Sequence, residues 1–308
     1  MENRSIEFGS DVTREDGCVS NVRTTTTIGS LVELAKPGLS SLVVFTTIAG
    51  YAVAGGLYQP LARTLLLIVG TAFSAAGANA MNQAVEFPFD ALMMRTRLRP
   101  VACGVMTQKQ ALIAAITMLS LGVVMLGISI NSLTAFLSLL TAVLYICVYT
   151  PLKQVTPFAT ISGAITGAIP PMMGVAAATG YLTLTAWILF AILFVWQIPH
   201  FIALSFIYRE DYENAGFKTL MQTDTTGIFP AGVSLIHTLA LIPLSLSLSL
   251  AGSASVTFAI AAVVFGIVHL TAAVVFFNKR VYKNARILFF AGVTYLTLLL
   301  CALIVDSL

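Results

Sequence analysis

Nine runs of apolar residues, at about 38–57, 61–83, 109–130, 132–149, 157–178, 183–207, 227–250, 253–277 and 285–305, leave this chain little choice of solvent. Each approaches the roughly 20 residues with which an α-helix crosses a bilayer. Lipid offers no partner to a free backbone amide, so runs of this kind are expected to be helical. Only 9% of the residues are charged, against roughly 25% in an ordinary soluble domain, which excludes a water-soluble fold of this size. The expectation is an all-α polytopic membrane protein with about nine transmembrane helices over residues 31–308, preceded by a disordered polar tail over residues 1–30. The tail has no apolar core of signal-peptide type, and its Glu2, Glu7, Asp11, Glu15 and Asp16 argue against a cleaved transit peptide.

The cations are distributed unevenly. With a cytoplasmic N-terminus, the connections on the inner side hold Arg95, Arg97, Arg99, Lys109, Lys153, Arg209, Lys218, Lys279, Arg280, Lys283 and Arg286, and those on the outer side only Arg63. This bias predicts an N-inside, C-outside orientation. The two longest inner connections, about 84–108 and 208–226, are also the richest in ionisable groups, so the chemistry is expected at the cytoplasmic end. Cys18, Cys103, Cys147 and Cys301 show no paired spacing, and neither a disulfide framework nor a zinc site is expected.

Asn82, Glu86 and Asp90 recur every fourth residue and would share one helical face. A carboxamide with two carboxylates suits Mg²⁺, which takes oxygen ligands and is usually shared between one or two carboxylates and substrate phosphates. Arg95, Arg97 and Arg99 follow, with the fork geometry that grips phosphate. The plainer alternative is a solvated helix end whose acids pair with those arginines. Pro88 should end or kink the helix, so that Asp90 reaches the site from a bent segment.

The second polar loop contains Tyr208, Arg209, Asp211 and Lys218. Asp211 could hold a second Mg²⁺ opposite the first cluster, with Arg209 and Lys218 on phosphate or propionate groups; a solvated loop is the alternative. His200 is either a packing histidine or a contact or axial ligand to a haem-like acceptor. Lys36 and Lys153 sit at the inner boundary, where they either snorkel or neutralise phosphate. The Gly163-x-x-x-Gly167 spacing is accounted for by close helix packing, and Pro170-Pro171 predicts a kink beside a cavity.

Several of these stretches occur together and in order: Lys36-Pro37, Asn82-Gln83 through Phe89-Asp90, Met94 through Pro100, Tyr149-Thr150-Pro151-Leu152-Lys153, Gly167 through Pro171, Trp196-Gln197-Ile198-Pro199-His200-Phe201 and Tyr208 through Tyr212. In them the chain resembles the protohaem IX farnesyltransferase (haem O synthase) family, within the intramembrane aromatic prenyltransferase superfamily, from about Lys36 to the last span. The resemblance implies nine helices around a central cavity open to the cytoplasmic side, two acidic loops that bind Mg²⁺ and an isoprenyl diphosphate, and catalytic, metal-holding roles for Asn82, Glu86, Asp90 and Asp211. Lys36, Arg95, Arg97, Arg99, Lys153, His200, Tyr208, Arg209 and Lys218 would bind substrate. Three positions depart from the superfamily pattern: Glu86 and Pro88 stand where many members have aspartates, and Ala215 where the second loop often has another acid.

The implied reaction joins farnesyl diphosphate to a vinyl group of haem B with addition of water, giving haem O and pyrophosphate. The implied setting is membrane lipid, at a bacterial plasma (inner) membrane, with no nucleic acid and with haem A synthase or a terminal oxidase assembly factor as partner. Two rivals remain at this level. A prenyltransferase acting on a quinone precursor or another aromatic acceptor would have a similar metal site. A membrane transporter would show internal repeats and midplane charges, whereas here no clear repeat is present and the charges gather at one face.

Overall fold

The computed structural model describes residues 27–224 and 226–308. The helices, in chain order, are α1 (Thr27–Ala35), α2 (Pro37–Val53), α3 (Leu61–Asp90), α4 (Gln108–Ser129), α5 (Ser132–Val143), α6 (Thr150–Val155), α7 (Ala159–Thr179), α8 (Leu184–Ile207), α9 (Arg209–Asn214), α10 (Leu220–Thr223), α11 (Ile228–Leu250), α12 (Val256–Asn278) and α13 (Tyr282–Asp306). A π-helical turn, Leu144–Tyr149, joins α5 to α6. Among the described residues, eight helical stretches are long and apolar enough to span a membrane, and a ninth is obtained when α1 and α2, bent by 50°, count as one. The protein is therefore a multi-pass membrane protein. Most of the expected tail lies outside the described residues; its last four, from Thr27, open α1.

Helix α7 is the innermost: 72% of its apolar window is buried, against 22% for α4 at the rim. Glycine makes this placement possible. A Cβ on Gly50 would strike the Pro171 backbone, and one on Gly174 the Thr47 and Tyr51 backbones, so α2 and α7 touch main chain to main chain. Gly77 and Gly122 do the same for α3 and α4. Without a hydrophobic drive between helices in lipid, such close approach supplies the packing energy. The Gly163-x-x-x-Gly167 pair is different and corrects the packing expectation. A Cβ on Gly163 would meet the Tyr149 and Phe201 rings and one on Gly167 the Gln197 carboxamide, so both glycines make room for side chains.

The bend expected at Pro88 is absent: α3 runs through it to Asp90. Proline removes the N–H that would bond the Ala84 carbonyl four residues back. Here Gln108 Nε2, at the start of α4, donates to that carbonyl at 3.0 Å, which is how an interior proline is tolerated in an apolar setting. Helix α7 likewise continues through Pro170 and Pro171.

At the far end of the bundle the carbonyls that terminate α7 are met by side chains. Asn131 donates to Ala176 at 2.8 Å, Gln59 to Ala178 at 2.9 Å and Arg63 to Ala177 at 3.2 Å. These satisfy acceptors that a helix end leaves orphaned.

Candidate active site

At the opposite end of the bundle α3 delivers Asn82, Glu86 and Asp90 to one buried face, as the fourfold spacing predicts. Each is held by a partner from another segment. Lys36 sits between α1 and α2 in the left-handed region (φ 47°), the only non-glycine residue with positive φ among those described. That conformation is strained for an L-residue; its result here is that Nζ donates to Asn82 Oδ1 at 2.9 Å. Asn82 donates in turn to Thr150 Oγ1 at 3.2 Å. Lys153 pairs with Glu86. One guanidinium nitrogen of Arg99 donates to both Asp90 oxygens at 2.7 Å.

These groups line a polar cavity of about 180 Å³, with Arg95, Lys218 and Tyr212 also in its wall. Five cationic side chains, Lys36, Arg95, Arg99, Lys153 and Lys218, face two carboxylates, Glu86 and Asp90. The surplus of positive charge matches an anion of diphosphate type. Burial raises the Tyr212 phenol above its ordinary range, so it remains a neutral O–H donor beside that charge.

Below this cavity lies an apolar chamber of about 280 Å³. Tyr145, Tyr149 and Phe201 line both spaces and form a collar between them. Tyr145 stacks on Tyr149 at 5.8 Å and Tyr149 on Phe201 at 6.3 Å. The two tyrosines lie on the π-helical turn, a form that recurs at functional sites. His200 lines the chamber, with its ring stacked 4.8 Å from Trp196 and 4.7 Å from Phe289.

The sequence-predicted residues thus divide. Lys36, Asn82, Glu86, Asp90, Arg95, Arg99, Lys153 and Lys218 share the polar cavity. Asp211 is buried but accepts from the backbone N–H groups of Met94 (2.8 Å) and Arg95 (3.4 Å), and so pins the α3–α4 connection to α9 without lining the cavity. Tyr208 lies beneath the Arg95 guanidinium at 5.0 Å. Arg97 is exposed, and Arg209 pairs with exposed Glu213 at 2.7 Å; neither lines the cavity. The collar tyrosines, Tyr212 and Phe217 were missed as site residues. Tyr149, Phe201 and Tyr212 do lie in the stretches that carry the resemblance, which was the signal available for them.

Among the described residues no three His, Cys, Asp or Glu side chains stand close enough to enclose a metal alone. Asn82, Glu86 and Asp90 nevertheless present oxygen donors on one face of the cavity. An incomplete oxygen set of this kind fits Mg²⁺, whose remaining ligands are commonly water and substrate phosphate.

A helical bundle with a cationic cavity stacked on an apolar chamber is the form of an intramembrane enzyme that handles an amphiphilic anion. The match to the UbiA prenyltransferase family model spans residues 43–299, and the chain belongs to that family. Within it, the chain is 38% identical over 278 residues to the protoheme IX farnesyltransferase of Opitutus terrae, covering 90% of this chain and 94% of that one. Solved structures share the fold: a digeranylgeranylglyceryl phosphate synthase study (TM-score 0.76, 16% identity, 91% and 98% of the two chains) and a UbiA homologue from Archaeoglobus fulgidus bound to GPP and Mg²⁺ (TM-score 0.62, 15% identity, 89% and 99%).

Proposed function

We propose that the protein transfers the farnesyl group of farnesyl diphosphate to a vinyl group of haem B, with addition of water, forming haem O and pyrophosphate. The observation that carries this reading is the junction of a cationic cavity with an apolar chamber at the Tyr145–Tyr149–Phe201 collar. The diphosphate sits among Lys36, Arg95, Arg99, Lys153 and Lys218, which puts the first farnesyl carbon at the collar and the tail in the chamber. The C1–O bond breaks with its electron pair leaving on the diphosphate. Cationic side chains aimed at that developing charge lower the barrier. Asn82, Glu86 and Asp90 would hold Mg²⁺, which would add to the neutralisation of the leaving group.

The vinyl π pair forms the new C–C bond, and the cation left on the haem side chain takes up water, whose released proton goes to the departed pyrophosphate. Aromatic collar faces tolerate a passing cation, since ring quadrupoles attract positive charge. The apolar wall keeps bulk water from the allylic cation before it reacts. For Glu86 and Asp90 to meet a metal, Lys153 and Arg99 exchange carboxylate for phosphate as substrate arrives. Asp211 acts in this scheme by holding the Arg95 loop, and a second metal at Asp211 requires that loop to release it. His200 contacts the macrocycle.

The charge bias favours the diphosphate side facing the cytoplasm of a bacterium at its plasma membrane, and the product would pass to a haem A synthase or an oxidase assembly partner. Purified protein given haem B, farnesyl diphosphate and Mg²⁺ should yield a more hydrophobic haem of the hydroxyethylfarnesyl type. Unchanged haem, with turnover of a quinone precursor instead, would overturn the assignment.

A further inference from the structure

We infer that Thr150 is a positioning residue that decides which end of the Asn82 carboxamide faces the polar cavity, an inference that rests on the metal-holding role given to Asn82 above. A carboxamide has an oxygen end that can meet a cation and an NH₂ end that can only donate. Among the three α3 groups this ambiguity belongs to Asn82 alone, because either oxygen of a carboxylate serves. Asn82 is buried, so its orientation is set by the groups packed against it. On one side Lys36 Nζ, a donor with no acceptor capacity, lies 2.9 Å from Oδ1. On the other, Thr150 Oγ1 accepts from Nδ2 at 3.2 Å.

The hydroxyl accepts because its one hydrogen is spent elsewhere. Thr150 Oγ1 donates to the Tyr145 carbonyl, five residues back, at 2.9 Å. That carbonyl also receives the Thr150 backbone N–H, the i+5 bond of the π-helical turn. Thr141, Thr166 and Thr238 make the ordinary return bond to the carbonyl four residues back, and no side chain donates to them among the described residues. The wider turn adds one residue to the helical register, which rotates Thr150 by about 100° from its place on an unbroken α-helix and brings its hydroxyl to α3. Thr150 is 2% exposed and outside the cavity wall, so it meets no substrate.

The two anchors differ in permanence. Lys36 is among the cations that surround the diphosphate, and its ammonium is free to turn from Oδ1 to phosphate. Thr150 is held by a main-chain carbonyl that stays in place. As substrate arrives, the Thr150 bond alone keeps Nδ2 turned away and leaves Oδ1 open to a cation. Without the hydroxyl, Nδ2 loses its acceptor, and a half-turn of the carboxamide puts an N–H donor where the oxygen stood.

Equilibrium dialysis of Mn²⁺ against the detergent-purified full chain, at fixed inorganic pyrophosphate, reads this orientation without turnover; Mn²⁺ favours the same oxygen ligands as Mg²⁺. Thr150→Val, which keeps the shape of the side chain, should weaken Mn²⁺ binding roughly 10–100-fold, the scale on which a group that orients a metal ligand acts. Thr150→Ala gives the same reading should the valine variant not fold, and Thr150→Ser, which retains the hydroxyl, should bind as the wild type does. In an Asn82→Asp background, where both ends are oxygen, Thr150→Val should change the affinity by no more than about twofold. Wild-type affinity in folded Thr150→Val or Thr150→Ala would overturn the inference. So would an equal loss in the Asn82→Asp background, which marks a packing role. A wild type that binds no Mn²⁺ overturns the metal reading of α3, and this inference with it.

Discussion

The two ends of the bundle use the same polar chemistry to opposite effect. At the far end Arg63 donates to the carbonyls of Ile130 and Ala177, and Asn131 and Gln59 donate to those of Ala176 and Ala178 in α7. Those acceptors are main chain and cannot leave, so the cations and amides there are permanently engaged. At the active end Arg99 and Lys153 bind the side-chain carboxylates of Asp90 and Glu86, partners that an arriving phosphate can replace. Both arrangements pair buried polar groups, with Arg63 Nε left without a partner at the far end; only the second is exchangeable.

This contrast is open to attack by substitution, and Asp90→Asn should have the largest effect. It removes the charge that Arg99 neutralises and an oxygen that would hold Mg²⁺, so turnover should fall by roughly 10²–10³ or more. Size-exclusion behaviour in detergent should stay that of the wild type. Retained activity would reduce the α3 face to a structural ion pair. Lys153→Met should raise KM for farnesyl diphosphate about tenfold, as removal of one charge-assisted contact to phosphate does, and steady-state kinetics reads it.

Arg63→Met should invert the pattern. Thermal unfolding should report a loss of about 1–3 kcal/mol from uncapped buried carbonyls, with kcat nearly unchanged at low temperature. A large kinetic defect in that variant would abolish the distinction between the ends. The smallest effect is expected from Arg97→Gln, since Arg97 is exposed and outside the cavity. A titration with diphosphate should give an affinity within about twofold of wild type, the scale of exposed charges.

The spans and the face shared by Asn82, Glu86 and Asp90 were legible in the sequence because helical periodicity and lipid thickness are local constraints. What escaped it was non-local. Pro88 reads as a helix breaker until Gln108 is known to satisfy Ala84. Gly163 and Gly167 read as a helix-packing motif until the rings and carboxamide they accommodate are in place. Asp211 reads as a mirror of the first acidic cluster, and nothing in its neighbours signals that its oxygens take the Met94 and Arg95 amides. The collar depends on a π-helical turn, whose register no periodicity in residues 144–149 announces.

The Gln108 bond to Ala84 also bears on how inactive variants of this protein should be interpreted. Gln108 is outside the polar cavity, yet it completes the last turn of the helix that aims Glu86 and Asp90. A genetic screen for loss of haem alkylation should recover position 108 together with the acids, and ranking hits by distance from the reacting atoms would discard it. Inheritance of the acidic face therefore involves two helices: a chimaera that takes α3 from one relative and α4 from another transmits the carboxylates without the support that holds them in register.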